Sequence, residues 1–461
     1  MKLVTLLVIM VMTTSTLRSQ DITGQWNGAL TIQGTQLRLI LHVTKSADVY
    51  TSTLDSPDQG AKGIPVTSTT FADQVLKFEV VNLGIQYTGE LKNNIITGTF
   101  KQGAGSFPMN LSREIMAKKV VVRPQEPASP YPYYSEEVKF ENKNEKIVLA
   151  GTLTLPKKEG NFPAVILITG SGPQNRNEEL AGHKPFLVLS DYLTRNGIAV
   201  LRYDDRGTAE SQGNFKTATT VDLASDVESA FAYLQTRKEI NRKKIGLIGH
   251  SEGGVIAPIV AAKINDVSFI VLLAGTGIPG DQLLLLQGEL IGKSYGLSDE
   301  KLQATKNLNK GAFDIVKNST SPQMLETELT AYIRRNLPPE KPAGISDDDL
   351  IKTQVTSLTT PWMQYFIKYD PSLILQKVKC PVLALNGSND LQVPPKVNLA
   401  AIKEGLEKGG NKNVTVMEIP KLNHLFQESV TGSPLEYDKI EQTFSPIASK
   451  EILDWINQQI K

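Results

Sequence analysis

The stretch that most constrains this chain is Lys243-Lys244-Ile245-Gly246-Leu247-Ile248-Gly249-His250-Ser251-Glu252-Gly253-Gly254. It reads as a short buried strand, a sharp turn and a helix. Ile245, Leu247 and Ile248 supply the strand, and Gly249, Ser251 and Gly253 make the G-x-S-x-G pattern of a nucleophile elbow. A serine at such a strained turn projects its hydroxyl above the sheet edge. Glycines flank it because a Cβ there would strike the neighbouring strand and helix. The helix that follows aims its free N–H groups at the site, where they favour an anion. Glycine-rich turns contain this pattern by chance, so context decides. Here an apolar strand precedes it, and small residues (Gly254, Ala257, Ala261, Ala262) follow. The competing reading is a loop that only turns the chain.

At 461 residues the chain is too long for one ordinary domain, and about two or three are expected. Its 49 basic and 48 acidic residues balance, which argues against nucleic acid or an anionic surface as a major partner. Lys2, the apolar run Leu3–Met12 and the polar end Leu17-Arg18-Ser19-Gln20 read as a secretory signal peptide over residues 1–20. Cleavage after Ser19 would leave Gln20 first and place the protein in the periplasm or outside the cell. No later segment is long enough to span a bilayer, so no integral span is expected once the signal is removed. Cys380 is the only cysteine, which excludes an internal disulfide; before Pro381 at a strand start it reads as a small buried hydrophobe.

Residues 21–115 read as an antiparallel β domain. Leu37, Leu39, Leu41 and Val43 alternate with Arg38, Ile40 and His42, and Lys92-Asn93-Asn94 reads as a hairpin turn. A meander, a sandwich and a small barrel all fit. Trp26 reads as a core plug and His42 as a solvent-side strand residue. Residues 116–135, with Pro124, Pro127, Pro130 and Pro132, read as an extended Pro/Tyr-rich linker able to pack on a neighbour.

From about 136 strands and helices alternate. Ile147–Leu155, Ala164–Ile168, Ile198–Tyr203, the elbow strand and Phe269–Ala274 are the strands of residues 136–277. His183–Arg195 is helical, and Asp222 and Asp226 stand early in a helix where its dipole favours acids. The pattern predicts an α/β class: a doubly wound, mostly parallel sheet, with the β domain separate. Residues 278–371 lack strand alternation and read as a helical cap. Apolar residues such as Leu283–Leu286 either line a pocket for acyl or alcohol groups or only hold the cap down. The sheet resumes over 372–461 with Cys380–Leu385 and Val414–Ile419, and Ser445-Pro446 starts a last helix as N-cap and first-turn proline.

A serine hydroxyl needs a base, and histidine suits neutral pH. Of the four histidines, His42 is in the β domain, His183 opens an early helix, and His250 is aimed away from Ser251 by its own turn. His424, just past the last strand, remains. Asp390 follows the preceding strand, where it is either the carboxylate that holds the base's tautomer or an ordinary turn residue. The order Ser251, Asp390, His424 is that of the α/β-hydrolase triad. An oxyanion needs two backbone donors. The Glu252 N–H is one. The other comes from Thr169-Gly170-Ser171-Gly172-Pro173, with Ser171 first and Gly172 second, since Pro173 has no N–H.

These segments together carry a resemblance: Gly170–Arg176, Tyr203-Asp204-Asp205-Arg206-Gly207, Gly249–Gly254, Gly387-Ser388-Asn389-Asp390 with Val393-Pro394, and Asn423-His424-Leu425-Phe426. The chain resembles the bacterial EstD-like serine esterases of the α/β-hydrolase superfamily. The resemblance implies an N-terminal β domain, a Ser-Asp-His core and a helical cap, with Pro361-Trp362 through Tyr369-Asp370-Pro371 as the cap-to-core segment. It covers 136–461 well and 21–135 in layout only. Where the family often has a second glycine after Asp-Arg-Gly, this chain has Ala209.

The leading expectation is a serine carboxylesterase acting on a small ester, with short-to-medium acyl groups, through an acyl-enzyme. The alternatives are a serine peptidase or acyltransferase on the same triad, and a non-catalytic β-domain binding protein, which the intact Ser, Asp and His disfavour. No cofactor is expected, and four scattered histidines with one cysteine do not make a zinc site.

Overall fold

The computed structural model describes residues 21–32, 35–47, 49–59, 61–102, 105–116, 123–337 and 346–461. The signal peptide reading (1–20) and part of the linker reading (117–122) lie outside them, as do residues 338–345 of the cap reading. The chain divides into two compact units, one ending at Lys119 and one running from Val120.

In the first unit the strands are β1 (Gly24–Ile32), β2 (Thr35–Ser46), β3 (Val49–Ser56), β4 (Ala61–Pro65), β5 (Ser68–Ala72), β6 (Val75–Val80), β7 (Ile85–Lys92), β8 (Ile95–Gln102) and β9 (Gly105–Ser112). Among the described residues they form one sheet in the order β4-β3-β2-β1-β9-β8-β7-β6-β5. Asn93 and Asn94, both at positive φ (53° and 62°), make the tight β7–β8 turn. The sheet rolls up: the Ser52 hydroxyl on β3 meets that of Thr69 on β5 at 2.6 Å. Of the three readings for this unit, the barrel-like one fits. Trp26, Leu41, Phe78, Tyr87 and Phe100 fill a single core. His42 keeps a partly exposed ring and meets Asp55 at 2.9 Å.

The second unit contains β10 (Tyr134–Asn142), β11 (Ile147–Leu155), β12 (Phe162–Ile168), α1 (Pro185–Arg195), β13 (Ala199–Tyr203), α2 (Thr220–Thr236), β14 (Ile240–His250), α3 (Gly253–Lys263) and β15 (Phe269–Leu273). Among the described residues five helices follow: α4 (Gly280–Ser294), α5 (Asp299–Asn318), α6 (Pro322–Arg335), α7 (Asp347–Leu358) and α8 (Pro361–Lys368). Then come α9 (Ser372–Leu375), β16 (Val382–Gly387), α10 (Pro395–Lys408), β17 (Val414–Ile419) and α11 (Pro446–Gln459).

The strand order is β10-β11-β13-β12-β14-β15-β16-β17. The first two pairings are antiparallel and the rest parallel. Along β12, Ala164, Ile166 and Ile168 enter the core under α2, α3 and α10, while Val165 and Leu167 enter the core under α1 and α11. That two-sided burial is why the run is continuously apolar. The strand β10 was missing from the sequence reading. Only Val138 and Phe140 are apolar between charged neighbours, too short a pattern to separate from the linker.

One expectation needs correction. Asp226 is not a dipole residue: it is buried, its carboxylate taking Arg206 Nε at 2.7 Å and Asn142 Nδ2 at 2.8 Å. Asp222 does close a capping box with Thr219. Ser445 sits at the N-cap of α11, but its buried hydroxyl makes no capping bond, and Pro446 alone marks the start. The Pro-rich segment packs on its neighbours. Arg123 donates to the carbonyls of Ile440 (2.5 Å) and Asp438 (2.9 Å), and Gln125 Oε1 accepts the Phe444 N–H at 3.0 Å. Within the helical insertion Leu283 is buried in the core above the sheet, and Leu284 and Leu285 pack on a cluster formed by Phe313, Leu329, Ile351 and Ile367. These leucines hold the insertion down. No helix among the described residues is long and apolar enough to cross a membrane.

His183 precedes α1 and is buried. Its Nε2 donates to the Tyr437 carbonyl (2.8 Å), and its Nδ1 lies 3.0 Å from the Thr443 hydroxyl. Burial lowers its pKa from 6.5 to about 4. Between these values the unfolded chain takes up a proton that the folded chain refuses. Stability from this group is therefore complete above 6.5 and falls as pH drops from 6.5 toward 4. In His183→Gln, the midpoint of thermal unfolding should lose part of that acid-side slope; an unchanged slope would place the titration elsewhere.

Candidate active site

The parallel register puts five strand ends level. Ile168 pairs with Gly249, His250 with Leu273, Leu273 with Leu385, and Gly387 with Ile419. The loops carrying Ser171, Ser251, Asp390 and His424 all leave from this carboxyl edge, where open α/β sheets bind ligands.

Ser251 lies between β14 and α3 with φ +52°, a left-handed backbone that an L-residue adopts at a cost of roughly 1–2 kcal/mol. Its N–H is held by the Leu273 carbonyl (2.8 Å), and its own carbonyl accepts Gly254 N–H (2.9 Å). Close approach explains the flanking glycines. A Cβ on Gly249 would lie 2.0 Å from the Gly253 oxygen, and one on Gly253 would lie 2.2 Å from the Ile168 oxygen. The start of α3 is thereby pressed against the end of β12, and a Cβ on Gly170 would lie 3.2 Å from that of Ser251. The loop bearing Ser171 thus borders the serine, as does the Glu252 N–H that follows it.

Asp390 and His424 are both buried, and His424 Nδ1 lies 2.9 Å from Asp390 Oδ2. The other Asp390 oxygen accepts the N–H groups of Gln392 (2.8 Å) and Val393 (2.9 Å). Asn386 braces that turn from below by donating to the Val393 carbonyl at 2.7 Å. On the histidine loop, Asn423 is fully buried and its Oδ1 accepts the N–H groups of Leu425 and Gln427, both at 3.0 Å. Phe426, at φ +59°, anchors the loop by stacking on Phe444.

Several groups near the site escaped the sequence reading. His250 does face away from its neighbour serine. Its Nδ1 lies 2.9 Å from Glu178 Oε1 and its Nε2 lies 2.8 Å from the His424 carbonyl. Glu178 also accepts the Gly170 N–H at 2.7 Å. Asp205 receives the Thr169 hydroxyl (2.8 Å) and the Gln174 N–H (2.9 Å), pinning both ends of the Ser171 loop. Burial raises the Asp205 pKa well above the usual carboxylate range. The buried Glu252 side chain accepts from Thr220 on α2 and from Trp362 on α8, each at 2.7 Å, and burial raises its pKa too. Trp362 belongs to the quoted Pro361–Pro371 segment, which was the one available signal for this link. Nothing in the structure explains the Ala209 departure; the alanine is held in a left-handed backbone at a cost. It has φ +46°, a position that favours glycine. Among the described residues no group of three or more His, Cys, Asp or Glu is arranged to hold a metal.

The chain has recognisable relatives. Esterase EstD of Thermotoga maritima is 26% identical over 310 residues, 67% of this chain and 66% of that one. Human acyl-coenzyme A thioesterase 1 is 29% identical over 175 residues, 37% of each chain. The chain thus spans less than two thirds of the length of either relative. An esterase of Pyrococcus furiosus, Pf2001, superposes with a TM-score of 0.44 at 15% identity, covering 75% of this chain and 100% of that one. Residues 145–408, more than half of the chain, match the family described as X-Pro dipeptidyl-peptidase (S15 family). The chain is similar to Esterase EstD, and it belongs to the family described as X-Pro dipeptidyl-peptidase (S15 family).

Proposed function

We propose that this protein is a serine carboxylesterase. The observation that carries the reading is the buried His424–Asp390 hydrogen bond on the same sheet edge as Ser251 in its left-handed turn. Asp390 keeps the His424 proton on Nδ1, which leaves Nε2 as the base. Ser251 Oγ attacks the ester carbonyl carbon while Nε2 takes its proton. The carbonyl oxygen becomes an oxyanion, held by the N–H groups of Glu252 and Ser171. Collapse expels the alcohol, which takes the proton from Nε2, and leaves an acyl-serine. Water then attacks, gives its proton to Nε2, and frees the acid as Ser251 recovers its own. The EstD match favours an ester as substrate.

The second reading is a peptidase on the same residues, favoured by the family's description as X-Pro dipeptidyl-peptidase. The test is a panel of p-nitrophenyl acetate, butyrate and octanoate beside a dipeptidyl (Xaa-Pro) p-nitroanilide. The expected result is turnover of the esters with little or none of the anilide. Preferential cleavage of the anilide would replace the esterase reading with the peptidase one.

A further inference from the structure

The His250–Glu178 pair belongs to neither the triad nor the oxyanion donors, yet it touches the loops of both. Its hydrogen-bond inventory is strict. The His424 carbonyl can only accept, so His250 Nε2 carries a proton. On the other side of the ring, Glu178 Oε1 faces Nδ1 at 2.9 Å and also receives the Gly170 N–H at 2.7 Å. Both residues are buried, and Glu178 holds φ +52°, a left-handed backbone that a glutamate adopts only at a cost. The ring of His250 lies 4.8 Å from that of His424, centroid to centroid.

We propose that His250 and Glu178 are positioning residues that tie the His424 loop and the Ser171 loop to the end of β14, so that base, oxyanion donors and nucleophile share one frame. The inference rests on His424 as base and Ser171 as donor. Without the tie, the His424 backbone carbonyl loses its donor and the Gly170 N–H loses its acceptor. The two loops are then free to drift separately. A drift of about 1 Å in such a site can cost 10²-fold in rate. Charge supports the arrangement. Burial works against a cation on His250, but the Glu178 carboxylate, its hydrogen bond and the His424 carbonyl outweigh it and raise the pKa.

The two nitrogens can be separated by substitution. Gln at 250 extends its amide to the Nε2 position and can still donate to the His424 carbonyl. Asn reaches only the Nδ1 position. His250→Asn is expected to lower kcat for p-nitrophenyl butyrate by about 10–100-fold, with KM within about 2-fold because both residues are buried and bond only to protein groups. His250→Gln should recover most of that loss, and Glu178→Gln should fall between. A readout without substrate runs beside it: the downfield proton resonance of the His424–Asp390 hydrogen bond. It should be sharp in wild type and in His250→Gln, and broadened in His250→Asn. Wild-type kcat together with an unchanged resonance in His250→Asn would overturn the proposal. So would equal losses in Asn and Gln variants whose thermal midpoints match wild type. Absence of wild-type esterase activity would fault the esterase reading, and the resonance would still decide this one.

Discussion

Ser251→Ala should remove ester turnover, with kcat falling by roughly 10⁴–10⁶-fold, the range seen when the nucleophile of such a triad is deleted. The fold should survive. The Ser251 backbone carries the turn's hydrogen bonds, to the Leu273 carbonyl and from the Gly254 N–H, and an alanine keeps both. The thermal midpoint should therefore stay close to wild type while burst-phase acylation disappears. A fluorophosphonate probe should label the wild type once and the variant not at all. Retained turnover in a folded variant would end the serine mechanism, whatever the substrate.

Asp390→Asn should lower kcat by about 10⁴-fold, with little change in KM, because the damage is to a tautomer and not to binding. The geometry makes this a clean substitution. The oxygen that accepts the N–H groups of Gln392 and Val393 is retained in asparagine, so the turn keeps its shape. The new amide then faces His424 Nδ1 across the former 2.9 Å contact. As a donor it forces the histidine proton to Nε2, the nitrogen that must receive the serine proton. A fall of less than tenfold would mean that another acid orients the base.

The fold was legible where burial writes itself into local pattern. The span Ile147–Leu155 was read as a strand and is one, as was Val414–Ile419. β11 is buried along most of its length, whereas β17, at the sheet edge, is half-buried and buries only Ile419 fully. The strand β10 failed this test because two apolar residues do not make a period. The candidate residues were nominated for a different reason: the elbow motif in its context, elimination among four histidines, and positions just past strand ends in the triad's chain order point to Ser251, His424 and Asp390. Glu178, Asp205 and the role of His250 carried no such signal. Glu178 is 72 residues from the histidine it meets, and Asp205 is 36 from Thr169. Nothing in a run of charged loop residues says which carboxylate will be carried into the interior. The Ser445 N-cap shows the converse: a correct position does not guarantee the bond that usually goes with it.

The strand that the sequence hid has a consequence for solubility. Among the described residues the eight-stranded sheet ends in β10 and β17, and an outer strand has a row of backbone groups with no strand partner on one side. On β10 that row is flanked by Glu137, Lys139 and Glu141, all exposed, between the inward Val138 and Phe140. A strand adding itself there would have to strip water from three charges for two apolar contacts already spent on the core. The feature that made β10 hard to find is what keeps this edge from acting as a template for aggregation.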